Sequence, residues 1–200
     1  MAIRRSLPRH ARSWVLPGLV IGFWVGLVFP APAEAQLRIS NVSVFLNDLD
    51  VTVNVVLLGA VPPSLSESLH SGVPTHLRFI VELWQYSRVW IERRLQTRTV
   101  ERQITYNVLT KEYKVASLAG EQQREPYVTK SLREAQRVVS ELRVAKLAPA
   151  SSLDQNELFY VKVRADVSLN GINSWVARVA GDAAETPWFQ SSLITPLRSQ

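Results

Sequence analysis

The stretch FYVKVRADVSL puts Phe159, Val161, Val163, Ala165, Val167 and Leu169 in one phase and Lys162, Arg164 and Asp166 in the other. Successive side chains of an extended chain point to opposite sides, so this alternation describes a strand with one dry face and one wet face. A helix would scatter the same apolar set around its circumference. The pattern recurs. Leu49, Val51, Val53, Val55 and Leu57 alternate with Asp50, Thr52 and Asn54, after Val42, Val44 and Leu46. Asn47-Asp48 between the two runs tolerates tight-turn geometry, so the pair reads as a hairpin. A second hairpin joins Val100, Ile104, Tyr106 and Val108 to Tyr113 and Val115 through Leu109-Thr110-Lys111.

Two segments follow helical rules instead. Ser64-Leu-Ser-Glu67 and Ser131-Leu-Arg-Glu134 match the capping box, in which serine and glutamate satisfy free amides at a helix start. The first helix is short, with Leu65 and Leu69 on one face and Gly72 and Pro74 as its stop. The second is amphipathic and runs to about Arg143, with Leu132, Ala135, Val139 and Leu142 on one face. Half-buried strands must close over a shared interior. The expected fold is therefore mostly β: an antiparallel sandwich, immunoglobulin-like in general shape, with both helices packed on it.

The N-terminal 35 residues stand apart. Arg4, Arg5, Arg9 and Arg12 precede the charge-free run Trp14–Phe29, and Ala33-Glu34-Ala35 fits signal-peptidase preference. The run is shorter than the roughly 20 residues of a membrane span. The reading is a signal peptide over 1–35, cut between Ala35 and Gln36, ahead of one domain over 36–200; an uncleaved N-terminal anchor is the alternative. The leader holds four of the 23 basic residues and one of the 17 acidic ones, so the remainder carries 19 against 16. Such mild positive charge is no nucleic-acid signature. With Cys at 0, the domain has no disulfides to staple it and no thiol chemistry.

No other reactive constellation is apparent. His70 and His76 lack the i, i+4 spacing of a helical zinc pair, and neither a Gly-x-Ser-x-Gly elbow nor a phosphate-binding glycine loop occurs. Asp48, Asp50, Glu82, Glu92, Asp166 and Asp182 are each explained as turn formers or wet strand positions. The expectation is a non-enzymatic protein without cofactor or metal. The binding candidate is VELWQYSRVWIERRL, read as a strand bent near Ser87. Leu77, Phe79, Val81 and Leu83 share its apolar face, resumed by Val89 and Ile91, while Trp84, Tyr86, Arg88 and Trp90 lie opposite. That face serves either as a platform that stacks and pairs with a ligand, or as aromatic packing crossed by arginine stems.

The order of elements resembles a known family. A strand pair ends in LLGAV, a short helix closes in SGVP, and FIVELWQYSRVWIERRL, ITYNVLTKEYKV, SLREAQRVV and FYVKVRADVSL follow before Trp188. This resembles the bacterial DUF4390 family over about Leu37 to Ser192, most specifically at Gly72-Val73-Pro74, at Arg88 with Trp90, and over Tyr106–Tyr113. The resemblance implies a bacterial envelope protein without known catalytic residues. Because some members are encoded beside sensor kinases, it also implies a signalling-accessory role. Asn170-Gly171-Ile172-Asn173 departs from the proline-rich residues expected there. The resulting expectation is a periplasmic domain that binds an envelope protein or membrane sensor. The alternatives are a carbohydrate-binding or carbohydrate-cleaving module, and a structural envelope component.

Overall fold

A computed structural model describes residues 36–47, 49–121, 125–172 and 175–196, Trp175 through its backbone alone. All belong to one compact unit, Ala33–Gln200. The leader and Ala35 lie outside the described residues, as does Asp48; Gln36 is exposed.

The elements run β1 (Arg38–Leu46), β2 (Asp50–Leu58), α1 (Pro63–His70), β3 (Thr75–Tyr86), β4 (Arg93–Asn107), β5 (Glu112–Ala119) and β6 (Tyr127–Thr129). Then come α2 (Leu132–Ser140), β7 (Glu141–Pro149), β8 (Leu158–Leu169), α3 (Trp175–Ala180), β9 (Ala183–Glu185) and β10 (Phe189–Gln190). One sheet has the order β1-β2-β7. The other has the order β10-β8-β3-β4-β5-β6, with β9 also on β8. Every pairing is antiparallel. The antiparallel sandwich expected from alternation is thus the architecture found, with α3 as an additional helix.

The dry phases meet in one core. Val51, Val53, Val55 and Leu57 of β2 face Leu77, Phe79, Val81 and Leu83 of β3 and Phe159 to Val167 of β8, and α1 and α2 add Leu65, Leu69, Ala135 and Val139. β3 lies between β4 and β8, paired along nearly its whole length on both sides. Among the described residues, no helix is long and apolar enough to cross a membrane.

Local boundaries correct several expectations. α1 begins at Pro63, with Pro62 as its cap and no side-chain cap bond, so proline geometry starts this helix rather than Ser64. It stops where Gly72 takes φ +92°, a left-handed value that favours glycine. α2 is capped as read, Ser131 Oγ accepting from the Glu134 amide at 3.4 Å. However, α2 ends at Ser140, and Leu142 is a buried residue of β7, not of the helix. Leu49 sits exposed in the β1–β2 turn and Val108 in the β4–β5 turn, so neither extends its alternating row. After β8, Asn170 and Gly171 take φ of 51° and 71°, and the Ile172 amide donates to the Leu169 carbonyl at 3.0 Å. Consecutive positive φ values make this a type I′ reversal, which sends the chain through α3 and back along β8 as β9.

Candidate functional site

Burying Leu77, Phe79, Val81 and Leu83 turns Arg78, Ile80, Glu82, Trp84 and Tyr86 of β3 to the outer face of the larger sheet. β8 places Tyr160 beside Trp84 and Lys162 beside Glu82. On the other side the β3–β4 register shifts between Leu83 and Trp84, skipping Leu95 and setting Arg94 opposite Trp84. A bulge re-aims a side chain in this way.

A closed network follows from that register. Glu82 accepts the Trp84 indole N–H at one carboxylate oxygen and the Arg94 guanidinium at the other, both at 2.9 Å. The Trp84 and Tyr160 rings lie nearly parallel, 8° apart with centroids 6.5 Å apart. The Lys162 ammonium stands 4.7 Å from the first ring centre and 5.3 Å from the second. Tyr160 is fully buried and donates its hydroxyl to Glu92 at 2.6 Å. Burial pushes the Tyr160 hydroxyl well above the ordinary phenol range, and the hydrogen bond and charge of Glu92, with the charge of Glu82, push it further.

The four sequence-read residues divide at the end of β3. Trp84 is half-buried within the network, and Tyr86 is the last, half-buried residue of the strand. Arg88 and Trp90 lie beyond it, in the loop that returns to β4. The strand does not bend at Ser87 and continue; it ends. Val89 and Ile91 therefore do not rejoin the dry row. They are 88% and 84% exposed, with Trp90 between them at 82%. Ser87 Oγ accepts the Trp90 amide at 2.8 Å, Arg93 donates to Gln85 at 3.2 Å, and Glu92 reaches back to Tyr160. The hairpin end is a bare apolar tip on a tied base.

The other candidates are placed as well. Glu82 and Glu92 flank Tyr160 and accept its hydrogen bonds and those of its neighbours. Asp166 is buried and meets Arg78 at 3.0 Å. His70 Nδ1 lies 2.7 Å from the Ser66 carbonyl, which only accepts, so this nitrogen carries the proton and Nε2 accepts the Tyr113 hydroxyl at 2.7 Å. That contact joins α1 to β5. His76 sits on the outer face beside Gln103 and the Asn170-Gly171 turn. Sequence reasoning missed Tyr160 and Arg94 as neighbours of Trp84. The outward phase of β8 was a signal for Tyr160, whereas the bulge that delivers Arg94 leaves none.

No curated protein and no solved structure matches the chain. A family model described as "Domain of unknown function (DUF4390)" matches residues 34–190, from ahead of β1 to the end of β10. The chain belongs to the DUF4390 family.

Proposed function

We propose that this is an exported, non-enzymatic module of the bacterial envelope. It binds a protein partner there, an envelope protein or the exposed part of a membrane sensor, and serves as a signalling accessory. One observation carries the reading: Val89, Trp90 and Ile91 stand bare on a hairpin whose base is tied to the sheet. Exposed aromatic anchors on a pre-organised support are the features that concentrate binding energy at interfaces. Arg88 and Trp90 are the contact residues, and Trp84 and Tyr86 belong to the surface that holds them.

The carbohydrate alternative has less behind it. The Lys162 ammonium occupies the space over the Trp84 and Tyr160 rings, and the Trp84 N–H is already committed to Glu82. A stacking sugar has to displace that lysine. The test of protein binding is in-cell photo-cross-linking from position 89, with position 109 as control. A discrete envelope-protein adduct from position 89 alone is expected, and its absence overturns the reading.

A further inference from the structure

We infer that the tip Val89-Trp90-Ile91 enters the interfacial layer of an anionic membrane, the surface beside which a membrane-held partner stands. The inference rests on the proposed reading in one respect, that the β3–β4 hairpin is the contact end of an exported module. It adds a lipid contact of its own.

Tryptophan concentrates at the membrane–water boundary, where its apolar ring and its N–H are both accommodated, and short aliphatic side chains beside it reach the upper acyl region. Three consecutive apolar residues more than four-fifths exposed are unusual on a surface that meets only water.

The charges around the tip point the same way. Arg88 and Arg93 bracket the tip, and among the described residues neither has a carboxylate partner; the Arg93 contact is the neutral Gln85 amide. Of the nearby acids, Glu82 is paired with Arg94, while Glu92 is held back against the Tyr160 hydroxyl and keeps its charge, so Arg88, Glu92 and Arg93 together leave the base of the tip net positive. Two unpaired cations beside an apolar tip complement phosphate-bearing headgroups.

Shape favours a lipid contact at the tip beside the contact with the partner. The tip is the convex turn of a hairpin, and three bare residues in a row require a matching socket in a protein partner. A fluid bilayer closes around a projection without one. Because Ser87, Glu92 and Gln85 already fix the loop, entry costs little ordering.

The β4–β5 turn is the internal control. Leu109 there is 92% exposed and Val108 beside it 56%, but Asn107, Thr110 and Lys111 enclose the pair, without tryptophan or an arginine pair. β4 has 15 residues, so the two turns stand roughly 45–50 Å apart.

The chain has no cysteine, so Ile91→Cys and Leu109→Cys each give one site for an environment-sensitive nitrobenzoxadiazole label. Both labels are read on the full chain, so any lipid affinity of Trp14–Phe29 acts on both alike. With phosphatidylglycerol vesicles the label at 91 is expected to brighten several-fold and shift to the blue, and the label at 109 to stay unchanged. With phosphatidylcholine vesicles neither responds. Arg88→Gln with Arg93→Gln weakens partitioning about 30-fold, the effect of two surface charges. Circular dichroism of each variant verifies that it is folded. A folded protein whose label at 91 ignores phosphatidylglycerol overturns the inference, as does an equal response at 109 or on phosphatidylcholine. Photo-cross-linking from position 89 separates the two proposals. A protein adduct without a lipid response removes the lipid contact alone, and a lipid response without an adduct removes the protein partner alone.

Discussion

Tyr160 and Glu92 meet across 2.6 Å, a fully buried phenol from β8 donating to a carboxylate in the β3–β4 loop. The contact joins residues far apart in the chain and anchors the loop that carries the apolar tip. Tyr160→Phe removes the donor and leaves Glu92 to water. It is expected to cost about 1–2 kcal/mol in urea unfolding and to speed amide exchange over Ser87–Glu92. Unchanged exchange there would show that the loop is held by its other ties.

The same hydroxyl gives an alkaline signature. Its folded value lies well above the ordinary 10.0, and that of Tyr113 is also raised, by burial and then by Tyr106. An unfolded phenol releases its proton first, so stability is complete below pH 10.0 and falls as pH rises above it. Ultraviolet titration should show Tyr160 ionising only as the protein unfolds.

Trp84 and Arg88 separate a structural from a binding role. Trp84→Ala takes away the indole between Glu82, Tyr160 and Lys162 and is expected to cost about 2–3 kcal/mol. Arg88→Ala touches no such network and should stay within about 0.5 kcal/mol, while weakening whatever the hairpin binds. Equal destabilisation by both would favour a purely structural envelope component.

Acid should weaken the fold through His76. Burial lowers this imidazole below its ordinary 6.5, and Glu101 opposes the shift only in part. The unfolded imidazole takes up a proton that the folded one resists, so stability holds above 6.5 and is lost as pH falls below it. Denaturant midpoints at about pH 7.5 and 5.5 should differ more for the native chain than for His76→Gln.

Arg102 tests geometry against charge. Its guanidinium donates to the two Glu121 oxygens at 2.8 and 2.6 Å and to the Val138 and Glu141 carbonyls at 2.9 and 2.7 Å. Arg102→Lys keeps the charge and loses the fork, so it is expected to cost about 2–3 kcal/mol, close to Arg102→Ala. A lysine variant of native stability would show that charge alone suffices.

The sequence disclosed what depends on near neighbours. Both hairpins, the β8 run and the Ser131 cap were legible because alternation and capping act within a few residues. The end of α2 was not, since Leu142 satisfies the helical spacing from Leu132 and Val139 and also the strand phase with Val144. The β3–β4 turn was missed because Ser87–Glu92 contains no Gly, Pro or Asn, and its odd-numbered apolar residues continue the phase of the strand before it. Pairing Trp84 with Tyr160 needs the register of strands distant in sequence, and pairing it with Arg94 needs a bulge at Leu95. Neither is written locally.

The place of β3 between β4 and β8 has a consequence for how the molecule comes into being. One of its two partners follows directly, but the other starts at Leu158, after most of the chain has been made. A nascent polypeptide ending before that point holds a row of unsatisfied main-chain donors and acceptors along its longest apolar seam. Closing that seam joins distant segments, which makes it the slow event of assembly and leaves the unfinished chain dependent on protection until β8 arrives.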